Sequence, residues 1–302
     1  MDNLKRLHGI VTVLNTPFTA DDAVDVDALQ AHVEHAIGAG VAGFLVPALA
    51  SEVTKLSEAE RLLIVKSVLE VARGRAVVIG GASAVDAPTR EQAARQLIAL
   101  GCDGILAAIP YVTDEAMIQQ VQALDALQPG LLMLQDWDFQ GYGIPVPLIV
   151  HLFETVPSFR SLKIEVVPAG VKYSEVLRVT GGRLHVAGGW AVTQMIEALD
   201  RGVPTLMPTG LHPIYVAIYR RYHAGDRDGA VALFRRLLPI LAFSNQHLDI
   251  SVHFFKRLLH RQGIYPTARV RPPILPFDSV HECLADALIS EAIDWMKELD
   301  HA

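Results

Sequence analysis

Residues Ser161-Leu162-Lys163-Ile164-Glu165-Val166-Val167 alternate around a lysine and a carboxylate, bounded by Pro157 and Pro168. Period-2 alternation and β-branched content predict a strand with Lys163 and Glu165 on one face, Leu162 and Ile164 on the other. If the strand belongs to a closed barrel, the Leu/Ile face packs under outer helices and the Lys/Glu face looks inward. An amine enclosed there sheds hydration and is a nucleophile toward a carbonyl, which is the chemistry of a Schiff-base enzyme. The alternative is a solvated strand face carrying an ordinary ion pair.

Other candidates sit where further strands end. Ala48-Leu49-Ala50-Ser51-Glu52 follows an apolar run. Its small residues let backbone approach a ligand, and the N–H groups around Ala50 and Ser51 can hold a carboxylate, unless the stretch is only a tight turn. Gly188-Gly189-Trp190 is likewise a close-approach loop or a turn. Gln135-Asp136-Trp137-Asp138 places two carboxylates at i and i+2, a pair able to ligate a divalent metal or simply to cap a loop. Tyr111 is a proton-transfer candidate or a packing residue. The histidines show no ligand spacing, so no metal and no other cofactor is expected.

The positioning elements form a repeated strand-then-helix order. Strands are expected at Gly9–Leu14, Gly43–Pro47, Ala76–Ile79, Gly104–Ile109, Leu131–Leu134, the Lys163 segment, Leu184–Ala187 and Thr205–Met207. Helices between them are expected at Val26–Ala39, Ser57–Ala72, Pro88–Leu100, Asp114–Leu127, Pro147–Phe153, Lys172–Val179 and Thr193–Asp200, with Ser57 and Glu60 in capping-box spacing. Nearly continuous apolar strands with short connections predict a (β/α)8 TIM barrel over 1–225. The helical patterns of Asp228–Phe243, Leu248–Gln262 and Val280–Leu299 make 226–302 a C-terminal helical extension. Leu206, on the last strand, is a candidate for lining the pocket.

Composition narrows the function. Of 302 residues, 51% are apolar and 20% charged, enough for a large core. A net charge of −7 with no basic block argues against nucleic acid and anionic membranes. Cys102 and Cys283, in no ligand or C-x-x-C pattern, fit a reduced cytoplasmic protein, and the start shows no signal peptide. The longest charge-free run, Gly202 to Tyr219, is broken by Pro204, Pro208 and Pro213, so no spanning helix is expected. A small soluble partner is the expectation.

The order of these pieces resembles the dihydrodipicolinate synthase and N-acetylneuraminate lyase family of class I Schiff-base lyases. GIVTVLNTPF resembles the family's first strand running into Thr-Pro-Phe. ALASEVTKLSEAER falls where the family has Gly-Thr-Thr-Gly-Glu and then Leu-Ser ahead of an acidic helix start. IPY ending at Tyr111 matches the first family tyrosine, and SLKIE the strand bearing the Schiff-base lysine. The resemblance implies a TIM barrel, a 2-oxo acid substrate such as pyruvate or a 2-keto-3-deoxy sugar acid, Lys163 as the imine-forming residue, and a homo-oligomer, dimer or tetramer.

The departures point to one branch. The two family threonines fall on Leu49 and Ala50, the tyrosine after strand five on Gln135, the following asparagine on Asp136, and the arginine for a second substrate's carboxylate near Gln140. The Ser-Glu ending and the Lys-x-Glu spacing look like the branch that dehydrates 2-keto-3-deoxy sugar acids such as L-2-keto-3-deoxyarabonate. The expected site is Lys163, Glu165 and Gln135 for catalysis, with Ala50, Ser51, Gly188, Gly189 and Leu206 binding substrate. Three alternatives remain at this point: a pyruvate-dependent aldolase of the same family, a catalytically impaired 2-oxo acid binding homologue, and a metal-dependent barrel enzyme using Asp136 and Asp138.

Overall fold

The structure is a computed structural model that describes residues 2–300. Eight parallel strands close in sequence order into a barrel: β1 Gly9–Val13, β2 Gly43–Val46, β3 Val77–Gly81, β4 Gly104–Ala108, β5 Leu132–Asp138, β6 Phe159–Val166, β7 His185–Gly188 and β8 Thr205–Leu206. The strand-helix alternation thus gives the expected TIM barrel, with helices after the strands and four consecutive helices from His212 to Asp300. Among the described residues no helix is long and apolar enough to cross a membrane.

The chain divides into two compact units. The first holds the chain up to Val11 with Val77–Pro208. Its ladder runs from β3 through β8 and on to the start of β1, where Gly9 pairs with Thr205. Ile105, Leu132, Leu162, Ile164 and Val186 are completely buried, as a parallel sheet covered by helices requires. The second unit holds Thr12–Ala76 and the chain from Thr209 on. Here Ser57 and Glu60 form the expected capping box, and Gly40 ends its helix in the left-handed region at φ 95°.

Of the boundaries that differ from expectation, three bear on the site. β5 does not end at Leu134 but continues to Asp138, because Gln135 through Asp138 pair with Lys163 through Val166 on the eight-residue β6. Polar side chains that read as a loop are held extended by that ladder. The helix expected at Lys172 begins at Ala169, directly after Pro168. Where one helix was expected over 193–200, a 3-10 turn Trp190–Gln194 precedes the α-helix Met195–Asp200.

Candidate active site

Strand alternation on β6 sorts the side chains as the sequence suggests. Leu162 and Ile164 are fully buried on one side. On the other, Lys163 Nζ lies 3.1 Å from Glu165 Oε2, with the two side chains only 7% and 4% exposed. A buried ion pair leans on the hydrogen bonds that meet its remaining capacity, and two further donors meet that of the carboxylate. Gln135, opposite Lys163 in the β5–β6 register, donates through Nε2 to the same Oε2 at 2.5 Å. The Trp190 backbone N–H donates to Oε1 at 3.0 Å.

The turn after β7 must pass close over this pair. Gly188 pairs with Ile164 in the ladder, and Gly189 follows it. A Cβ on Gly189 would run into the Glu165 carboxylate and into Lys163 Cε, so only glycine leaves the pair its room. Below the pair, Ser161 occupies the same face two residues earlier. Its hydroxyl meets His185 Nδ1 at 2.8 Å, while His185 Nε2 reaches Leu7 O and Thr205 Oγ1, both at 2.9 Å. Burial pushes the His185 pKa down to about 4, so at pH 7 this layer is neutral. Leu206, the candidate beside Thr205, alternates away from this hydroxyl and is completely buried.

Asp136 points to the opposite side of β5 from Gln135. Its Oδ2 lies 2.5 Å from Lys172 Nζ and its Oδ1 accepts the Ile144 N–H at 2.9 Å. Lys172 also donates to the carbonyls of Tyr142 and Ile144. Burial raises the Asp136 pKa and lowers that of Lys172, each partly opposed by the other's charge. Asp138 accepts the Gln140 and Gly143 N–H groups at 2.9 and 3.2 Å. Both aspartates are thus spent on the loop after β5, and among the described residues no three His, Cys, Asp or Glu side chains converge as metal ligands. Tyr111 is 42% exposed and donates to Asp114 Oδ1 at 2.9 Å.

Ala50 and Ser51 lie in the second unit, in the 3-10 turn Leu49–Ser51. The Ser51 hydroxyl donates to Leu14 O at 2.5 Å and accepts the Ala48 N–H at 3.0 Å, and the Ala50 carbonyl accepts Asn15 Nδ2 at 2.9 Å. Glu52 is buried and bonded to Lys256 and to the Arg271 N–H. Burial brings the Lys256 pKa down to about 8 despite the carboxylate. The turn's side chains therefore hold their own unit together.

Sequence reading brought Lys163, Glu165, Gln135 and Gly189 to one place in the first unit. It missed the Trp190 N–H, whose donor is backbone and carries no side-chain signal, and it missed Ser161 and His185. Ser161 was findable from alternation, since it sits two residues before Lys163 on the same face.

The fold is a parallel (β/α)8 barrel with a buried lysine–carboxylate pair on β6, and the family match makes it a lyase barrel. The family described as "Dihydrodipicolinate synthetase family" matches residues 6–292, and the chain belongs to it. A 4-hydroxy-tetrahydrodipicolinate synthase of Sorangium cellulosum is 32% identical over 78% of this chain and 80% of that protein. An L-2-keto-3-deoxyarabonate dehydratase of Azospirillum brasilense is 28% identical over 89% of each. The crystal structure of dihydrodipicolinate synthase from Rhodopseudomonas palustris superimposes with a TM-score of 0.87 at 22% identity, over 94% of this chain and 97% of that one, and speaks for the fold.

Proposed function

We propose that this lyase uses Lys163 as a Schiff-base residue on a 2-oxo acid and that it dehydrates a 2-keto-3-deoxy sugar acid resembling L-2-keto-3-deoxyarabonate. The observation that carries the reading is the buried contact of 3.1 Å between Lys163 Nζ and Glu165 Oε2. It pairs the nucleophile with a carboxylate able to take its proton.

In this mechanism the Lys163 amine, having passed a proton to Glu165, adds to the C2 carbonyl, whose oxygen takes one proton from the amine and one back from Glu165 and leaves as water. The resulting iminium draws electrons from the C3–H bond, and the freed Glu165 carboxylate accepts that proton. The enamine then pushes its electron pair toward C4. The C4 hydroxyl departs as water with the proton returned by Glu165, and hydrolysis of the unsaturated imine frees Lys163. Net loss is one water, with no redox change. Gln135 and the Trp190 N–H hold Glu165 in place throughout. The backbone of Gly188 and Gly189, beside the pair, is assigned to the substrate. The relative named as an L-2-keto-3-deoxyarabonate dehydratase supports this branch.

The test is intact-mass spectrometry after borohydride reduction with pyruvate and with 2-keto-3-deoxy sugar acids, alongside product analysis. The expected result is an adduct on Lys163, absent in Lys163→Ala, and a dehydrated product. Release of pyruvate from the sugar acid would instead identify the aldolase reaction, and absence of any adduct would refute imine chemistry.

A further inference from the structure

A cavity of about 200 Å3 opens beside Glu165 in the first unit, with Phe139, Val166, Val167 and Trp190 among its walls. Among the described residues its only ionisable lining side chain is the Glu165 carboxylate, and Thr193 and Gln194 are further polar ones. Thr193 already donates to Trp190 O at 3.1 Å. Phe139 stands edge-on to Trp190, with ring centroids 5.6 Å apart, so one wall is an aromatic pair, which Trp137 backs edge-on from Phe139 at 4.6 Å. Phe139 keeps 42% of its surface exposed, leaving ring area free to meet a ligand.

Building on the imine reading above, we propose that this cavity is a charge filter: it receives the end of the substrate distal to the 2-oxo group, and Phe139 and Trp190 restrict that end to an uncharged one. The carboxylate adjacent to the imine is compensated by the iminium itself. A second carboxylate at the far end would be stripped of water against aromatic and aliphatic walls. It would also face the Glu165 carboxylate, and no lining lysine, arginine or histidine is there to offset either cost. A hydroxymethyl or alkyl terminus carries neither cost and gains ring contact. The filter therefore admits monocarboxylic 2-oxo acids and rejects dicarboxylic ones of equal length.

The test compares 2-oxopentanoate with 2-oxoglutarate, which differ at the far end by a methyl against a carboxylate, using the half-saturating concentration for borohydride-trapped adduct on Lys163. Pyruvate, which has no distal end, is the control. The expected result is labelling by 2-oxopentanoate at a concentration on the order of 100-fold below that needed for 2-oxoglutarate. Phe139→Arg, at a half-exposed position, is expected to shrink that ratio at least about tenfold while pyruvate still labels. A wild-type ratio near one, with pyruvate labelling intact, overturns the filter and leaves the imine reading standing. A ratio unchanged by Phe139→Arg in protein that pyruvate labels overturns the role of that wall. No adduct with pyruvate in the wild type overturns the imine reading, and the filter falls with it.

Discussion

The Glu165 carboxylate touches the Lys163 amine with one oxygen, at 3.1 Å, and takes the Trp190 backbone N–H on the other, at 3.0 Å. The base is thereby fixed at both ends relative to the nucleophile. Glu165→Gln keeps the size and a hydrogen-bonding group but removes the proton acceptor. Turnover is expected to fall by about 10²–10⁴, the range for loss of a general base, with the pyruvate adduct on Lys163 still reached on long incubation but formed more slowly, since Glu165 also takes the amine's proton. Lys163→Ala is expected to lose both. Mass spectrometry beside steady-state rates checks this, and unchanged turnover and adduct formation in Glu165→Gln would remove Glu165 as the base.

Gly189→Ala adds one methyl where the Glu165 carboxylate and Lys163 Cε already stand. Overpacking of this kind costs about 1–3 kcal/mol, and here it also displaces the base. The variant is expected to fold with a lowered denaturation midpoint and to lose at least about tenfold in kcat, since misplacement of a catalytic group by about 1 Å costs up to 10²-fold. Unchanged kcat in folded protein would show that the turn after β7 yields without moving Glu165.

The pair on β6 was legible because a strand's two-residue period is local information: Lys163 and Glu165 must share a face wherever the strand lies. Their setting was less legible. Gln135 faces Lys163 only because β5 runs on to Asp138, and Gln-Asp-Trp-Asp has loop-like composition; the β5–β6 register, a non-local fact, overrides it. Glu52 read as part of a ligand-binding turn, yet its partner Lys256 lies 204 residues away in sequence and is visible only in the folded second unit. The role of the two aspartates stayed open between metal ligation and loop capping for the same reason, since Lys172 approaches Asp136 from a helix that follows the next strand.

That Lys172–Asp136 pair makes its own prediction. Both side chains are buried, and the amine also anchors the carbonyls of Tyr142 and Ile144. Removing one partner strands the other charge without water. Lys172→Met or Asp136→Leu alone is expected to cost about 3–5 kcal/mol in urea unfolding. The double variant is expected to cost less than the sum of the two, giving a coupling of at least about 1 kcal/mol. Additive losses would mean that each residue acts through its own backbone contacts alone.

Acid should weaken the protein through histidines that fold neutral. Burial lowers the pKa of His185 from 6.5 to about 4, and that of His32 to about 3. His32 sits in a buried relay, bonded to Tyr265 Oη at 2.9 Å and to His212 Nε2 at 3.0 Å. His212 in turn bonds Thr12 Oγ1 at 3.1 Å, and burial holds its pKa well below 6.5 too. With folded pKa values depressed, the unfolded chain binds more protons between these values and 6.5. Stability is therefore full above pH 6.5 and is lost as pH falls through the window toward 4. From pH 7 to pH 5 each such histidine is expected to remove about 2 kcal/mol, by the free energy of about 1.4 kcal/mol per pH unit of unfolded-state protonation. Urea unfolding at the two pH values measures the sum. His185→Gln, which keeps a polar side chain in contact with Ser161, should remove about one histidine's share of the pH dependence even where it lowers stability at pH 7. A slope unchanged by that substitution would show that His185 takes up its proton in the folded state.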